Sequence, residues 1–343
     1  MHALFLASAL LVGCLLAVQA SVNLQLNKAV GTPYGASTLQ LGVATALLAL
    51  LAVAVGTIGA VRLAPGVPVW HLLGGLASPL YITSGILLFP RLGALAAAGL
   101  FVTGQMFASL GLDLFGLLGI ARKPLSVGIA LGALAVLAGI TVIIRGQRPP
   151  QSAPAAGPAT GGAPGTPGAP TGGGTATVTA PAPAAVRRSG GIGQGGWILL
   201  GIVAGAVLPV QGAVNAALRK DIQAPVTTAM ISFIVATITI AVVLIVLLAT
   251  RRTPRPQLSG LRTMPWWGWL GGACAAAYVT ATFTLIPTIG AATTVALTVT
   301  GQQVASAVID NYGFLRLPRR PLTAPRLSGL ALLIIGSVLV QLT

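Results

Sequence analysis

The chain has 343 residues, of which 55% are hydrophobic and only 6% are charged, far too little charge to cover the surface of a soluble protein. Apolar stretches of about 20 residues recur, long enough to cross a hydrocarbon layer about 30 Å thick, so the composition predicts an all-α membrane protein. The net charge of +16 is assigned to loops that orient helices and meet anionic head groups, because it lacks the aromatic interleaving of nucleic-acid binding.

Hydropathy predicts five helices in each half of the chain. Those of the first half span roughly 3–26, 36–61, 69–89, 93–115 and 124–144. From 147 to 194 the sequence is rich in Pro, Gly and Ala, which is typical of a disordered linker between a first repeat, 1–146, and a second, 195–343. The helices of the second half span roughly 196–218, 226–250, 267–286, 291–311 and 326–342.

The two halves are repeats of one another. The stretches LAVQASVNLQLNK at 16–28 and LPVQGAVNAALRK at 208–220 share the frame V-Q-x-x-V-N. Their offset of 192 becomes 197 farther along, as one loop insertion explains. Pairs matched at the second offset include Trp70 and Trp267, Tyr81 and Tyr278, Gln105 and Gln302, and Asp113 and Asp310. Five helices put the ends of a half on opposite faces, so the second half is predicted to lie inverted.

Basic residues predict the orientation in the membrane. Five of the 19 Lys and Arg side chains fall on the side of the N-terminus and fourteen on the other side. By the positive-inside rule we expect a cell-membrane protein with a cytoplasmic linker and both termini outside. Much of the bias comes from the linker and the second half, since the first half alone is nearly balanced.

Motifs of the second half carry a family resemblance. They are P-x-Q-x-x-x-N in its first helix, PWWGWLGG opening its third, IPTIGAA before its fourth, GQQVASAVID ending the fourth, and GFLRLPRRPL before the fifth. They resemble the YdcZ-type proteins of the drug/metabolite transporter (DMT) superfamily. The first half is a looser match, with Ala17 in place of the Pro of the first motif. The resemblance implies a membrane transporter built from two fused five-helix units.

Polar side chains inside the predicted helices form the candidate substrate site. Gln and Asn four residues apart share a helix face, and a buried amide without a partner costs ~1–3 kcal/mol. These groups therefore either form hydrogen bonds between helices or line a substrate site. Pro209 interrupts the helix that carries the second V-Q-x-x-V-N stretch, which favours a substrate site. The matched Gln and Tyr side chains of the later helices leave the same two alternatives. The predicted substrate-binding residues are Gln19, Asn23, Tyr81, Gln105, Gln211, Asn215, Tyr278 and Gln302.

The chain has three acidic residues, all of which lie near the ends of predicted helices. Asp113 and Asp310 each end the fourth helix of a half, where we expect them to pin helix ends, with gating or a proton relay as the alternative. Asp221, beside Arg219 and Lys220, is interpreted as a loop charge. A pocket without ionisable groups would suit neutral, zwitterionic or weakly charged molecules.

The sequence thus predicts ten transmembrane helices in two inverted five-helix repeats, forming a secondary transporter or facilitator that works by alternating access. The alternative is a membrane scaffold or sensor that transports nothing, in which the polar residues only pack helices. Without Glu, and with two His and two isolated Cys, catalytic and metal sites lack their residues, so no enzyme, cofactor or metal is predicted. The expected partners are a small-molecule substrate and the bilayer, with one chain functioning as a pseudo-symmetric pair.

Overall fold

The computed structural model describes residues 2–119, 122, 124–146 and 193–342, and the regular elements in these ranges are helical. Most of the predicted linker, residues 147–192, lies outside the described part of the chain. The described residues form ten long helical segments. They are α1 His2–Val30, α2 Pro33–Ala54, α3 Val69–Leu92, α4 Ala94–Phe115, α5 Val127–Arg145, α6 Gln194–Ile222, α7 Pro225–Ala249, α8 Leu270–Ile289, α9 Ala291–Tyr312 and α10 Ala324–Leu342.

Local sequence signals set the helix ends. Both α2 and α7 begin with a proline, Pro33 and Pro225, at a position where no backbone N–H is required. The predicted second helix was too long, because the chain leaves α2 after Ala54 and turns at Gly56 with a φ of 72°, a conformation that favours glycine. A short 3-10 helix, Ile58–Gly66, begins within the last residues of the predicted span and continues past it.

Eight of the described segments, α1 to α7 and α10, are long and apolar enough to cross a membrane. The remaining two, α8 and α9, are 20 and 22 residues long and hold the third and fourth places of the second half. The all-α membrane architecture is therefore confirmed, while the count of ten spans remains a prediction.

The halves pack against each other through reciprocal helix pairs. The first helix of each half contacts the third and fourth helices of the other half, so α1 lies against α8 and α9, and α6 lies against α3 and α4. The second helices α2 and α7 contact each other, as do the fifth helices α5 and α10. One hydrophobic core, which includes Phe89, Phe101 and Leu333, consequently runs through both halves.

Glycines bring backbones into contact where the first helices cross the fourth. A Cβ atom on Gly13 would lie 2.0 Å from the carbonyl oxygen of Thr298, and one on Gly205 would lie 2.1 Å from that of Phe101. Gly205 is the repeat counterpart of Gly13, and Thr298 is that of Phe101. The same close crossing, for which only glycine is small enough, is thus made twice.

The fifth helices also meet through glycine. A Cβ atom on Gly132 would lie 2.7 Å from the carbonyl oxygen of Gly336, and one on Gly139 would lie 2.7 Å from that of Gly329. Gly329 and Gly336 are the counterparts of Gly132 and Gly139, so the contact is reciprocal and the two helices run antiparallel. Such self-complementary contact is the mark of a two-fold interface.

The second helices are joined by hydroxyl groups. The Thr227 hydroxyl donates to the carbonyl oxygen of Thr57 at 2.7 Å near one end of the pair. Farther along, the hydroxyls of Thr45 and Thr237 hydrogen-bond at 2.9 Å. Thr237 is the repeat counterpart of Thr45, so here a residue contacts its own equivalent in the other half.

Candidate functional site

A cavity of about 310 Å³ lies between the halves. Its wall combines residues of α1, α3 and α4 with residues of α6, α8 and α9, and adds Phe233 of α7 and Gln341 of α10. The volume is at the lower end of the range seen for small-molecule sites, which are mostly apolar with a few polar groups.

The cavity extends from the middle of the helices toward one face of the bundle. We call this the N-terminal face, where α1 begins and α6 ends, and the opposite face, where α5 ends and α6 begins, the linker face. On α6 the lining residues run from Leu208 to Arg219, close to the helix end at Ile222. On α9 they lie in the first turns, at Thr294 and Thr298. The cavity therefore points to the N-terminal face.

Six of the eight predicted substrate-binding side chains line this cavity. They are Gln19, Tyr81, Gln105, Gln211, Asn215 and Tyr278. The other two, Asn23 and Gln302, are each 2% exposed and lie behind the wall. Gln302 reaches the wall indirectly, since its Nε2 donates to the hydroxyl of Tyr81 at 3.2 Å. That these residues bind substrate remains a prediction.

The cavity amides differ in their hydrogen bonds. Gln211 Nε2 donates to Ser78 Oγ at 2.7 Å. In the other half the counterpart of Ser78 is Ala275, which has no hydroxyl. Gln19 Oε1 and Gln105 Nε2 are shielded from solvent and have no hydrogen-bond partner among the described residues. Two amides at the cavity thus each hold a buried polar atom without a partner in the described chain.

The two asparagines of the V-Q-x-x-V-N frames each face a glycine of a third helix. A Cβ atom on Gly74 would lie 2.2 Å from Asn215 Oδ1, and one on Gly271 would lie 2.1 Å from Asn23 Oδ1. The asparagine oxygen occupies the space of the missing side chain, which explains why the matched third helices carry glycine there. Within the described ranges, neither oxygen accepts a conventional hydrogen bond.

Arg219 also lines the cavity. The sequence interpretation treated it as a loop charge, so the expectation of a pocket without ionisable groups was wrong. Arg219 follows Asn215 by four residues and Gln211 by eight, which puts all three on one face of α6, and this spacing was the signal available in the sequence. The matching positions on α1 are Gln19, Asn23 and Asn27, so the charge belongs to the second half alone.

Asp310 is buried at the linker face in a network that joins the halves. Its carboxylate accepts hydrogen bonds from the backbone N–H groups of Ala94, at 2.7 Å, and Leu95, at 3.2 Å. Arg326 donates to the same carboxylate at 2.6 Å. Asp310 of the second half therefore caps the N-terminus of α4 in the first half, and Gly93 leaves the space that the carboxylate occupies.

Arg320 extends this network. Its guanidinium donates to the carbonyl oxygens of Pro90, at 3.3 Å, and Arg91, at 3.0 Å. Its backbone N–H donates to the carbonyl oxygen of Asp310 at 2.7 Å. Burial lowers the pKa of the Arg320 guanidinium from its usual value, and the Asp310 carboxylate opposes that shift. The loop between α9 and α10 is thus bound to the turn between α3 and α4.

Asp113, the counterpart of Asp310, lies at the N-terminal face. It is half-buried and stands outside the set of cavity-lining residues. Its half cannot repeat the ion pair, because the position that matches Arg326 holds Ile129. A gating or proton-relay role for either aspartate remains a prediction.

Comparisons with known proteins agree with the membrane architecture. The profile of a family described as "Putative inner membrane exporter, YdcZ" matches residues 4–142 and again residues 196–339. A search of curated proteins gave no match. One solved chain, described only as "Crystal structure of protein", is 17% identical, covers 98% of this chain and 94% of its own length, and has a TM-score of 0.52, which shows a likeness of fold alone. Because the family profile matches both halves, the chain belongs to the YdcZ family of the DMT superfamily and is a multi-pass inner-membrane transporter.

Proposed function

We propose that this protein is a secondary transporter or facilitator of small polar or amphipathic molecules, with alternating access between two inverted five-helix repeats. The observation that carries the proposal is a cavity between the halves that points to the N-terminal face, while the Asp310 network binds the halves together at the linker face. One open face and one closed face are what an end state of such a cycle requires.

The reciprocal contacts support an inverted relation between the halves. On the fifth helices, Gly132 and Gly139 meet each other's counterparts in antiparallel order. A two-fold operation that exchanges antiparallel helices has its axis perpendicular to them, and for membrane-spanning helices that axis would lie in the membrane plane. The same operation would exchange Asp113 with Asp310 and the open face with the closed one.

Buried polar groups near the linker face support a second, open state. Several of them are repeat counterparts of residues that line the cavity. The pairs, with the cavity residue first, are Asn215 and Asn23, Arg219 and Asn27, Met106 and Gln303, and Ser109 and Ser306. Asn23, Asn27, Gln303 and Ser306 each hold at least one buried polar atom with no hydrogen-bond partner in the described part of the chain. Each such atom costs ~1–3 kcal/mol, a cost that water or substrate would remove in a state open to the linker face.

The Asp310 network would then act as the gate at the linker face. Opening that face has to separate the turn at Gly93 from the loop that carries Arg320. The hydrogen bonds from Ala94 and Leu95 to Asp310 would break in the same movement. Arg326 belongs to the same half as Asp310, so it keeps the released carboxylate paired. This makes Asp310 a reversible contact between halves without requiring it to carry protons.

Charge counting assigns the faces to the two sides of the membrane. With the linker face in the cytoplasm, the cavity would open outward. A single cysteine at Ala163, in a chain whose Cys14 and Cys274 are replaced by serine, should resist impermeant thiol reagents in intact cells. Labelling of that cysteine in sealed cells would contradict the orientation.

The scaffold alternative gains support from two bonds of the amides. Gln211 is paired with Ser78, and Gln302 is paired with Tyr81, as residues that only pack helices would be. The scaffold alternative does not account for Gln19 and Gln105, each of which lines the cavity with a polar atom that has no partner in the described chain. A cavity lined by glutamines of both halves therefore favours transport.

The decisive experiment compares Gln19→Ala with wild type. Metabolite pools are screened for compounds that raise the melting temperature of the purified protein, and the active compounds are then followed as labelled counterflow in proteoliposomes. Gln19→Ala should lower flux by about tenfold, the effect of losing roughly one ligand hydrogen bond of 1.4 kcal/mol, while the melting temperature stays near that of wild type.

Two further variants serve as references. Gln211→Ala should lower both flux and melting temperature, because it also removes the bond to Ser78. Thr45→Val removes an interhelical bond away from the cavity wall and should leave flux unchanged. Wild-type flux in Gln19→Ala combined with a lowered melting temperature would establish that the amides only pack helices.

A further inference from the structure

The helices around the cavity form two packed triads. We call α1, α8 and α9 the first triad and α6, α3 and α4 the second triad. Within each triad the first helix of one half packs against the third and fourth helices of the other half, and the glycine crossings at Gly13 and Gly205 bring the backbones into contact. The cavity lies between the triads and is lined by residues of both. A movement that opens one face and closes the other would therefore tilt one triad against the other.

One hydrogen bond crosses from triad to triad at the inner end of the cavity. Gln302 of α9 donates through Nε2 to the hydroxyl of Tyr81 on α3 at 3.2 Å. Both side chains are buried, and the Tyr81 ring packs on that of Phe101 with the ring centroids 4.7 Å apart. The helices α3 and α9 share little other contact, so this bond can break without separating a packed interface.

The repeat counterpart of this bond is not made. Gln105 of α4 matches Gln302, and Tyr278 of α8 matches Tyr81. Gln105 and Tyr278 both line the cavity, and Gln105 Nε2 has no hydrogen-bond partner among the described residues. The Gln105 amide therefore does not donate to the Tyr278 hydroxyl, although this pair also reaches from one triad to the other. The same two residue types are thus bonded in one copy and separate in the other.

We infer that the two glutamine–tyrosine pairs are alternative latches of the transport cycle. Gln302 and Tyr81 are bonded while the N-terminal face is open, and Gln105 and Tyr278 bond when the linker face is open. The inference rests on the proposed function, because an inverted-repeat cycle exchanges the environments of matched residues. A bond that is present in one end state and absent from the other shifts the equilibrium between them by its own free energy. The four side chains then determine how often each face is open.

The surroundings of the two pairs offer a static explanation that the test has to exclude. Phe101, which packs on Tyr81, is matched by Thr298, so the second copy has a threonine in place of that ring. If Phe101 alone held Tyr81 toward Gln302, the second pair would never form, and removal of the Tyr278 hydroxyl would change nothing. Alternative latches predict instead that removal of the two hydroxyls has opposite effects.

The test uses the full-length protein with Cys14 and Cys274 replaced by serine and one reporter cysteine, Ser306→Cys. Ser306 is completely buried, so the rate at which the reporter reacts with a soluble maleimide measures how often the linker face opens. Tyr81→Phe keeps the ring, removes the first latch and should raise this rate about threefold, the effect of one interhelical hydrogen bond of average strength. Tyr278→Phe should lower the rate about threefold, because only the state open to the linker face loses a bond.

Three controls separate a latch from a general loosening of the protein. A reporter at Ser109, which lines the cavity, should react at its parent rate in both variants, because the state open to the N-terminal face remains the major one. Tyr34→Phe changes a tyrosine of α2 outside the cavity wall and should leave both reporters unchanged. The double variant Tyr81→Phe/Tyr278→Phe should return the rate at Ser306→Cys close to that of the parent.

Every other result decides against the latches. The inference is wrong if Tyr81→Phe does not raise the rate at Ser306→Cys, if Tyr278→Phe does not lower it, or if both reporters speed up together. Any of these results in a protein that performs counterflow would contradict the latches and leave the proposed transport intact. Opposite shifts in a protein that moves no compound in counterflow would contradict transport and leave two latched conformations.

Discussion

The turns directly after α4 and α9 are repeat counterparts with similar backbone conformations and different connections to the rest of the protein. Each helix ends at a glycine in the left-handed region, Gly116 with a φ of 63° and Gly313 with a φ of 69°. Two residues later, Leu118 and Leu315 take φ values of 56° and 58°. The backbone conformation at these residues therefore does not explain why the aspartates that precede them, Asp113 and Asp310, differ in burial.

The two ends differ at the position of one charged side chain. At the linker face Asp310 is 1% exposed, accepts hydrogen bonds from two backbone N–H groups of the other half, and is paired with Arg326 of its own half. At the N-terminal face the matching residues are Ile129 and Asp113, and Asp113 is half-buried. The aspartate is thus buried at the end where this position holds arginine, and half-buried at the end where it holds isoleucine.

Replacing each aspartate by alanine should have the largest contrasting effects. Asp310→Ala leaves Arg326 buried without its partner, which we expect to cost ~3–5 kcal/mol of unfolding free energy. Asp113→Ala should cost about 0.5 kcal/mol or less, as for a half-exposed group. Denaturant titrations of the purified variants measure both, and equal losses would remove the contrast between the two ends.

The next largest effect is expected in the rate at which cysteines near the two faces react with a thiol reagent. Ser109 lines the cavity, whereas its counterpart Ser306 is completely buried. In a background without other cysteines, Ser109→Cys should react with a soluble maleimide at least about 100-fold faster than Ser306→Cys, which corresponds to an opening free energy of ~2.7 kcal/mol. Similar rates at both positions would mean that both faces are open or both are closed.

Introducing an arginine at the position that matches Arg326 should make the two ends behave more alike. Ile129→Arg places a guanidinium where Arg326 lies in the other half, so Asp113 gains the partner that Asp310 has. We expect about tenfold slower labelling of the cysteine at Ser109, equivalent to ~1.4 kcal/mol in favour of a closed N-terminal face. Ile129→Leu is the volume-matched control and should label like the parent. Faster labelling after Ile129→Arg would show that the cation is not what closes an end.

The smallest effect is expected where the two halves are equivalent. Thr45→Val and Thr237→Val each remove the same hydrogen bond between counterparts, worth ~0.6 kcal/mol in a membrane protein. Denaturant titration should give similar small losses for the two variants, and the double variant should lose little more than either single one. A large difference between the single variants would mean that the halves are not equivalent even at this crossing.

The helices could be predicted closely from the sequence, because hydropathy and the internal repeat report on the same ten segments. The end of α2 was missed because Gly56 in a left-handed conformation overrides an apolar stretch that continues past it. The repeat also identified the polar pairs, and six of their side chains meet at the cavity.

The sequence could not show which polar groups are paired or toward which face the cavity extends. Gln19 and Gln211 occupy matched positions, and only the contact with Ser78 distinguishes their hydrogen bonding. The pairing of Asp310 with Arg326 depends on a loop that folds back over sixteen residues. Contacts of this kind depend on tertiary packing, which hydropathy and residue spacing do not report.

The glycine crossing of α5 and α10 has a consequence for how the protein could diverge. Because Gly132 and Gly139 meet each other's counterparts, each half carries both sides of its own interface, the surface from which two separate copies could form an antiparallel homodimer. In a homodimer every substitution appears twice, once on each side of the membrane. Fusion into one gene lifts that constraint, so an arginine could be acquired on one side while the other side kept Asn27 or Ile129.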